Sequence, residues 1–464
     1  MKKTLVFVST ILLTLSLFAQ SDDDLFGGDD DFFTDDSIVE VADVSAKDDL
    51  SKGVIFDSGS IKVGGSLSAG MTTETVMYGP DKEDLGENIH DTKLKPELDA
   101  MLTVDARPSE TLRIYSKFGF AYPFEDKAAS YTYLNKFNMM TNPPEIDIKT
   151  ETQITDWFKL KELFTDFSMY DTAFFRFGIH TVTWGTGYFF SPVSDMINTS
   201  SIDPEHPDKQ VDGALNLRTQ IVFPNSQNCL WFYVIPSTDF TGKDGESYAR
   251  DTGYAGKVDI LIGKCEIGLG GFFKYQNAPK FMLTATGSLK KVSIFGEFVY
   301  SYGAAQEWQK NHDWDDKTSI IQATAGVSYY WKDPMITLAA QYYFNGNDVD
   351  FPMKNIIYGN NIAAMVNFGK ILGNKDFTAS VFAMANIGRK ELSAEELMYA
   401  KAAGADETSI AAMSGTALTS NAMIYYSPVK EMKVGMGPVL TFYKFDEKPT
   451  FSMKLTATLG GGKF

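Results

Sequence analysis

The sequence predicts an all-β fold: an antiparallel transmembrane β-barrel of about 16–18 strands, with short periplasmic turns and long extracellular loops. Three observations carry this. Apolar and polar residues alternate with period two through most of the chain from Ile61 onward, as in a sheet with fat on one side and water on the other. The connections between these stretches alternate between short and long. Beyond the first residues there is no run of about 18 apolar residues, which excludes a helical membrane protein.

Taken in order, Lys2 and Lys3, the apolar run Leu5–Leu17 and the small Ala19 mark residues 1–19 as a secretory signal peptide. Residues 20–53 form an acidic periplasmic tail with a loose duplication, DDDLFGG (Asp22–Gly28) and DDDFFTD (Asp29–Asp35). Such acid density buries too little apolar surface to fold alone, so a solvated tail is expected. A docking peptide anchored by Leu25-Phe26 and Phe32-Phe33 is the sharper alternative. Residues 54–464 are assigned to the barrel.

Strands are read at 61–75, 93–107, 111–122, 160–169, 173–182, 213–223, 227–238, 253–263 and 265–276. They continue at 280–289, 291–303, 317–331, 334–345, 356–370, 375–387, 415–426, 431–443 and 450–462. Every second connection is short (PSE, YDT, PNSQ, GK, KK, KDP, LGNK, SPVKE), and most of the others are long, at 76–92, 123–159, 183–212, 239–252, 304–316, 346–355 and 388–414. That asymmetry is the mark of an outer-membrane barrel. Residues 145–155 (EIDIKTETQIT) also alternate, but they are placed in a loop because another strand would break the even parity. Counting across the turn at Pro108–Glu110 sets Asp105 opposite Arg113. Ser393–Glu396 has capping-box form and predicts a short helix. The terminal Phe464 is out of phase with Phe451, Met453, Leu455, Ala457 and Leu459, so a bulge is expected in Gly460–Gly462.

Composition fits. Aromatic residues make up 14% of the chain and Gly numbers 38, which suits aromatic girdles and closely packed strands. Trp231-Phe232-Tyr233, Tyr329-Tyr330-Trp331, Tyr342-Tyr343-Phe344 and Tyr425-Tyr426 are read as girdle residues. A net charge of -18 argues against a nucleic-acid partner. Cys229 and Cys265 lie in separate strands and are read as two packed thiols, with a disulfide as the alternative.

A barrel of this size is too wide for side chains to fill, so its polar face bears on function. Loop 184–212 is the expected constriction. It follows a strand whose lumenal set is Arg176, Gly178, His180 and Trp184, and the next strand adds Asn216, Arg218 and Gln220. Asp166 falls opposite Arg176, an expected ion pair. Arg suits forked recognition of carboxylate or phosphate, so Arg176, His180 and Arg218 could form an anion ladder. The structural alternative is that these cations neutralise lumenal acids such as Asp99, Asp166 and Glu297. Asp195, Asn198 and Asp203 are expected to pin the loop by hydrogen bonds. The histidines, His90, His180, His206 and His312, lack the spacing of a metal-binding helix, and no nucleophile elbow or phosphate loop is evident. Neither an enzyme nor a metal or cofactor is expected.

The run KELFTDFSMYDTAFFRFGIHTVTWGTGYFFSPVSDMIN resembles a family of porin-like outer-membrane barrels of Gram-negative bacteria. Its matches are Arg176-Phe177-Gly178, Trp184-Gly185, Pro192 with Asp195, Asn198, and later Gln220 and Pro224. The family often has Gln where this chain has His180. The resemblance covers about 75 residues and implies a channel in the outer membrane of a diderm bacterium, with no established substrate. More loosely, the doubled acidic tail resembles those of spirochaete outer-membrane barrels.

The expectation is therefore a porin or channel for passive diffusion of small hydrophilic solutes, with Arg176, His180, Trp184, Asp195, Asn198 and Arg218 at the constriction. Its partners would be outer-membrane lipid, the solute and the barrel-assembly machinery; a homo-oligomer is compatible with the sequence. Two alternatives belong to other classes. One is a non-conducting adhesin or assembly barrel acting through loops 123–159 and 388–414, and the other is a hydrophobic-substrate transporter with the tail as hatch.

Overall fold

The computed structural model describes residues 54–463, less segments 80–84, 123–126, 139–144, 238–249 and 350–357, most of 206–210 and 388–415, and single residues 58, 156, 171 and 430. Residues 1–53, read above as signal peptide and acidic tail, lie outside the described residues, as do Phe464 and most of the predicted 393–403 helix.

Among the described residues the chain forms β1 (Val54–Asp57), β2 (Ile61–Tyr78), β3 (Leu94–Ser109), β4 (Leu112–Ala121), β5 (Lys127–Asn138), β6 (Glu145–Thr155) and β7 (Phe158–Met169). Then come β8 (Ala173–His180), β9 (Ala214–Val222), β10 (Cys229–Ile235), β11 (Gly253–Ile262), β12 (Cys265–Phe273), β13 (Lys280–Leu289) and β14 (Val292–Tyr302). The last are β15 (Ser319–Trp331), β16 (Ile336–Asn345), β17 (Gly359–Phe368), β18 (Phe377–Asn386), β19 (Leu418–Val429), β20 (Met432–Phe442) and β21 (Thr450–Lys463). Each barrel strand pairs antiparallel with its neighbours, and β2 pairs with both β3 and β21, so 18 strands close into a ring. Closure removes every long free edge, the requirement for backbone in hydrocarbon.

The predicted strands 61–75 to 450–462 each overlap one ring strand. Three local expectations change. Residues 145–155 are a strand after all, but β6 pairs only with β5 in a separate two-stranded sheet, so the even ring survives. Asp105 faces Tyr115, not Arg113, because the hairpin closes at Ser109–Leu112 rather than around Pro108–Glu110, with a one-residue slip between Ala106 and Ser109. The bulge near the end falls one residue before the glycines: Ala69 pairs with Gly460 and Gly70 with Thr458, which leaves Leu459 as the extra residue. Short β1 pairs with Lys62–Gly64 of β2, on residues that β21 does not reach.

The distribution of polarity is inverted relative to a soluble protein. Arg218, Lys257, Asp259, Glu297, Gln341 and Asn361 are buried, whereas Leu67, Ile114, Phe177, Phe232, Phe281, Ile321, Val381 and Ile424 are exposed. Soluble proteins seldom expose so wide an apolar surface, and a bilayer accounts for it. Alternation also splits the expected girdles. Phe232, Tyr342 and Tyr426 are exposed, but Tyr233 and Tyr343 are buried, and Trp231 donates its indole N–H to buried Asp259 at 2.7 Å. Consecutive aromatics on a strand cannot all face lipid. Both cysteines are free.

Charge is unevenly shared around the ring. Strands β15 to β19 contain no Asp, Glu, Lys or Arg. By contrast, β3 alone holds Lys95, Glu97, Asp99, Asp105 and Arg107, and β7 holds Lys159, Lys161, Glu162 and Asp166.

Candidate functional site: a loop folded into the lumen

After His180 the chain leaves the wall and re-enters the barrel, returning to the wall at Ala214. Val182, Phe189 and Val193 have no exposed surface, and Trp184, Phe190, Met196 and Ile197 are buried. The wall supplies two apolar seats. Val182, Trp184, Val193, Met196 and Ile197 pack with Tyr233, Ala255, Met282 and Val299 from β10, β11, β13 and β14. Phe189 and Phe190 pack with Ala339, Tyr343, Ala363 and Phe382 from β16, β17 and β18. Phe190 stacks on Tyr343 with ring centroids 5.0 Å apart. Each fully buried side chain of this size contributes about 1.5–3 kcal/mol, enough in sum to order an otherwise irregular segment.

Polar anchors satisfy the backbone that this burial strips of water. The Glu297 carboxylate on β14 accepts N–H bonds from Thr186 and Gly187, both at 2.6 Å, and from Val193 at 3.0 Å, and takes the Ser191 hydroxyl at 3.0 Å. The Gln341 amide oxygen on β16 accepts from the backbones of Tyr188 and Phe189 at 3.0 and 2.7 Å, while its NH2 donates to the Phe190 carbonyl at 2.7 Å. Lys257 on β11 donates to the Trp184 carbonyl at 3.1 Å and pairs with Asp259 at 2.9 Å. The turn admits little else: a Cβ on Gly187 would lie 1.8 Å from the Phe190 carbonyl oxygen. Gly187→Ala is accordingly expected to loosen the turn, read as increased open-channel current noise in single-channel recordings.

The loop also crosses the lumen. Glu205 accepts from Asn421 of β19 at 2.8 Å and lies 3.6 Å from Lys454 of β21. At the return to the wall, Asp212 is held by Lys159 at 2.5 Å and Lys161 at 3.5 Å. Burial alone would raise the Asp212 pKa, but the Lys159 hydrogen bond and the two lysine charges outweigh it and hold the carboxyl below its ordinary range. A carboxylate so depressed stabilises the fold above its unfolded pKa of about 4 and loses that contribution only as pH falls through the lower folded value. The Asp212 clasp should therefore persist at pH 4, checked by comparing channel current noise of the wild type with Asp212→Asn across pH 7 to 4.

The expected site residues separate into groups. Arg176 faces Asp166 in register, as predicted, with a forked pair at 2.6 and 3.0 Å, and its guanidinium sits 4.0 Å from the Phe164 ring centroid. Arg218 lies opposite Arg176 on β9, buried, and 5.5 Å from the Trp231 ring centroid. His180 and Trp184 do not present surface to a solute. His180 is fully buried, edge-on to Phe164, and Trp184 packs edge-on against Tyr233 at 4.8 Å. Asn198 pins the loop to itself, exchanging two 2.8 Å bonds with the Val182 backbone. The Asp203 carboxylate caps the Glu205 N–H at 3.0 Å, a local turn. Asp195 is exposed. Glu297, expected among acids neutralised by cations, instead collects N–H and O–H donors of the loop. Gln341 and Lys257 were not singled out in the sequence. A lone Gln or Lys on an alternating strand carries no signal until a loop is seen on it.

Next to this loop runs a row of paired charges. Arg113 donates to both oxygens of Asp105 at 3.0 and 3.1 Å across a diagonal of the β3–β4 pair, so the expected partnership holds despite the shifted register. Arg113 also faces Asp166 in register on β7, at 3.7 Å. Asp105, Arg113, Asp166, Arg176 and Arg218 thus alternate and then double across β3, β4, β7, β8 and β9.

An inverted-polarity ring with a chain segment folded inside it is a transmembrane β-barrel with a loop-narrowed lumen. No protein-family model matches the chain, and no curated protein matches it by sequence. Among solved structures it is similar to OccK3 (OpdO) of Pseudomonas aeruginosa, at 9% identity and a TM-score of 0.48, over 87% of this chain and 96% of that one. It is also similar to OccK8 (OprE) of the same organism, at 8% and 0.46 over 87% and 98%. A triple mutant of the Rhodopseudomonas blastica porin aligns at 11% and 0.38 over 87% and 100%.

Proposed function

We propose that this protein is an outer-membrane channel of a Gram-negative-type bacterium that passes small hydrophilic solutes by passive diffusion. The observation that carries the reading is the lumen-spanning loop, tied to the wall by Glu297, Gln341 and Lys257 and to the far side by Glu205. A ring of 18 strands is wider than its side chains fill, and a fixed inward loop reduces that width. The exposed Asp195 would contribute polar surface to the solute route, Arg176 and Arg218 would back its wall with positive charge, and His180, Trp184 and Asn198 would hold the loop and its base in shape. The charged side chains of β3, β4 and β7 beside the loop disfavour the hydrophobic-transporter alternative, which needs an apolar route.

The test is reconstitution of the purified protein in a planar bilayer. Discrete conductance steps that grow with salt concentration are expected. Silence across salt conditions would favour the non-conducting adhesin or assembly reading.

A further inference from the structure

We infer that Arg113 is the side chain that sets the channel's ion preference, and that Arg176 and Arg218 stand behind it. This rests on the channel reading above.

The docked loop occupies the wall from β10 to β18, where its two apolar seats and the Glu297, Gln341 and Lys257 anchors lie. On β19 and β21 it is held by Glu205. Among the described residues the wall formed by β3, β4 and β7 meets the loop at the Lys159–Asp212–Lys161 clasp, which leaves the acids and bases of these strands beside the route of a hydrated solute. Of the lysines there, Lys159 and Lys161, 48% and 30% exposed, are held by Asp212, and exposure then ranks the arginines. The side chains of Arg107 and Arg113 are 50% and 31% exposed, that of Arg176 is 14% exposed, and Arg218 as a residue is 7% exposed.

Position then singles out Arg113. Arg107 touches one carboxylate, Asp105, at 3.4 Å. Arg113 sits between two, forked onto Asp105 and 3.7 Å from Asp166, and its guanidinium carbon lies 5.0 Å from the Tyr115 ring centroid and 5.8 Å from that of Phe164. Those rings and acids fix one orientation, so its charge is presented to the lumen at a defined place rather than on a mobile stem. Removing it takes away one positive charge and leaves Asp105 and Asp166 each short of a partner. Both consequences favour cations. Arg176 has Asp166 as its forked partner, but it is less exposed and further along the row, so its loss is felt less in the lumen.

The experiment is single-channel recording in a salt gradient, comparing the wild type with Arg113→Ala, Arg113→Lys, Arg176→Ala and Arg218→Ala. A unit charge a few ångströms from a hydrated ion changes its local population about fivefold, so Arg113→Ala should raise the potassium-to-chloride permeability ratio by about that factor. Arg113→Lys keeps the charge and should hold the ratio near wild type, and Arg176→Ala and Arg218→Ala should each move it less than Arg113→Ala. A larger shift from either of those two, or an unmoved ratio in Arg113→Ala, overturns the assignment. If Arg113→Ala fails to fold, by loss of the heat-modifiable band on a gel, the decision passes to Arg113→Gln, which retains bulk and hydrogen-bonding capacity. A wild type without any conductance removes the channel reading itself, an outcome separate from an unmoved ratio.

Discussion

Glu297→Ala is expected to give the largest change in conductance of any single substitution in this protein. One carboxylate on β14 collects three backbone N–H groups and the Ser191 hydroxyl from Thr186 to Val193. Alanine leaves those donors buried with no acceptor, a loss of about 3–5 kcal/mol by the usual penalty for stranded polar groups. That penalty falls on the loop rather than on the ring, because the loop can escape it by undocking into water while the strands keep their ladders. The expected result is a larger and noisier single-channel conductance with an intact heat-modifiable barrel. Gln is no substitute despite its shape: it offers one acceptor oxygen and places an NH2 against N–H donors. Glu297→Gln should therefore resemble Glu297→Ala. A wild-type conductance in both variants would mean that the apolar seats alone hold the loop.

Asp166→Ala should have the largest effect on the stability of the ring. Asp166 is the shared acid of the row, forked to Arg176 and in register with Arg113. Without it three guanidinium groups, Arg113, Arg176 and Arg218, remain on neighbouring strands, and the last two already face each other in register. Like charges directly opposite across strands destabilise a sheet. The pair is partly screened, with Arg176 14% and Asp166 25% exposed, so the cost is set at about 2 kcal/mol rather than the value for a fully buried pair. Urea unfolding from lipid vesicles should show the lowered midpoint, and reversal potentials should move toward anions, opposite to the Arg113→Ala shift. An unchanged midpoint would show that the row is held by its rings, Phe164 and Tyr115, and not by its charges.

Much of the barrel was legible in the chain because a strand's faces repeat every two residues and lipid enforces the alternation at each outward position. Leu98, Ala100, Leu102 and Val104 against Glu97, Asp99 and Asp105 need no tertiary information to be read as a wall. The same rule gave Asp166 opposite Arg176 across a three-residue turn, since a tight hairpin leaves no freedom in register. It failed where the ladder slips. A turn closing at Ser109–Leu112 and a slip after Ala106 put Tyr115, not Arg113, opposite Asp105, and Leu459 rather than the following glycines took the bulge. Bulges depend on how two strands meet, which neither strand encodes alone.

The loop marks the clearer boundary. Its Pro, Asp and Asn content and its place after an alternating strand announced a long inward connection. Which of its residues would face solute was decided by packing. Trp184 and His180 looked like lumen-facing polar or amphipathic groups, yet both are buried as supports, because the loop turns back over them onto the β10–β18 wall. Glu297, more than a hundred residues downstream of the loop it holds, carries no local sign of that task. The sequence by itself determined the strands of the ring, the alternation of faces along them and the even count, because those follow from a local period, but not the β5–β6 pair outside the ring. Only the tertiary structure decided which lumenal residues are covered and which remain open, because that depends on where one loop lands across a ring closed by residues from opposite ends of the chain.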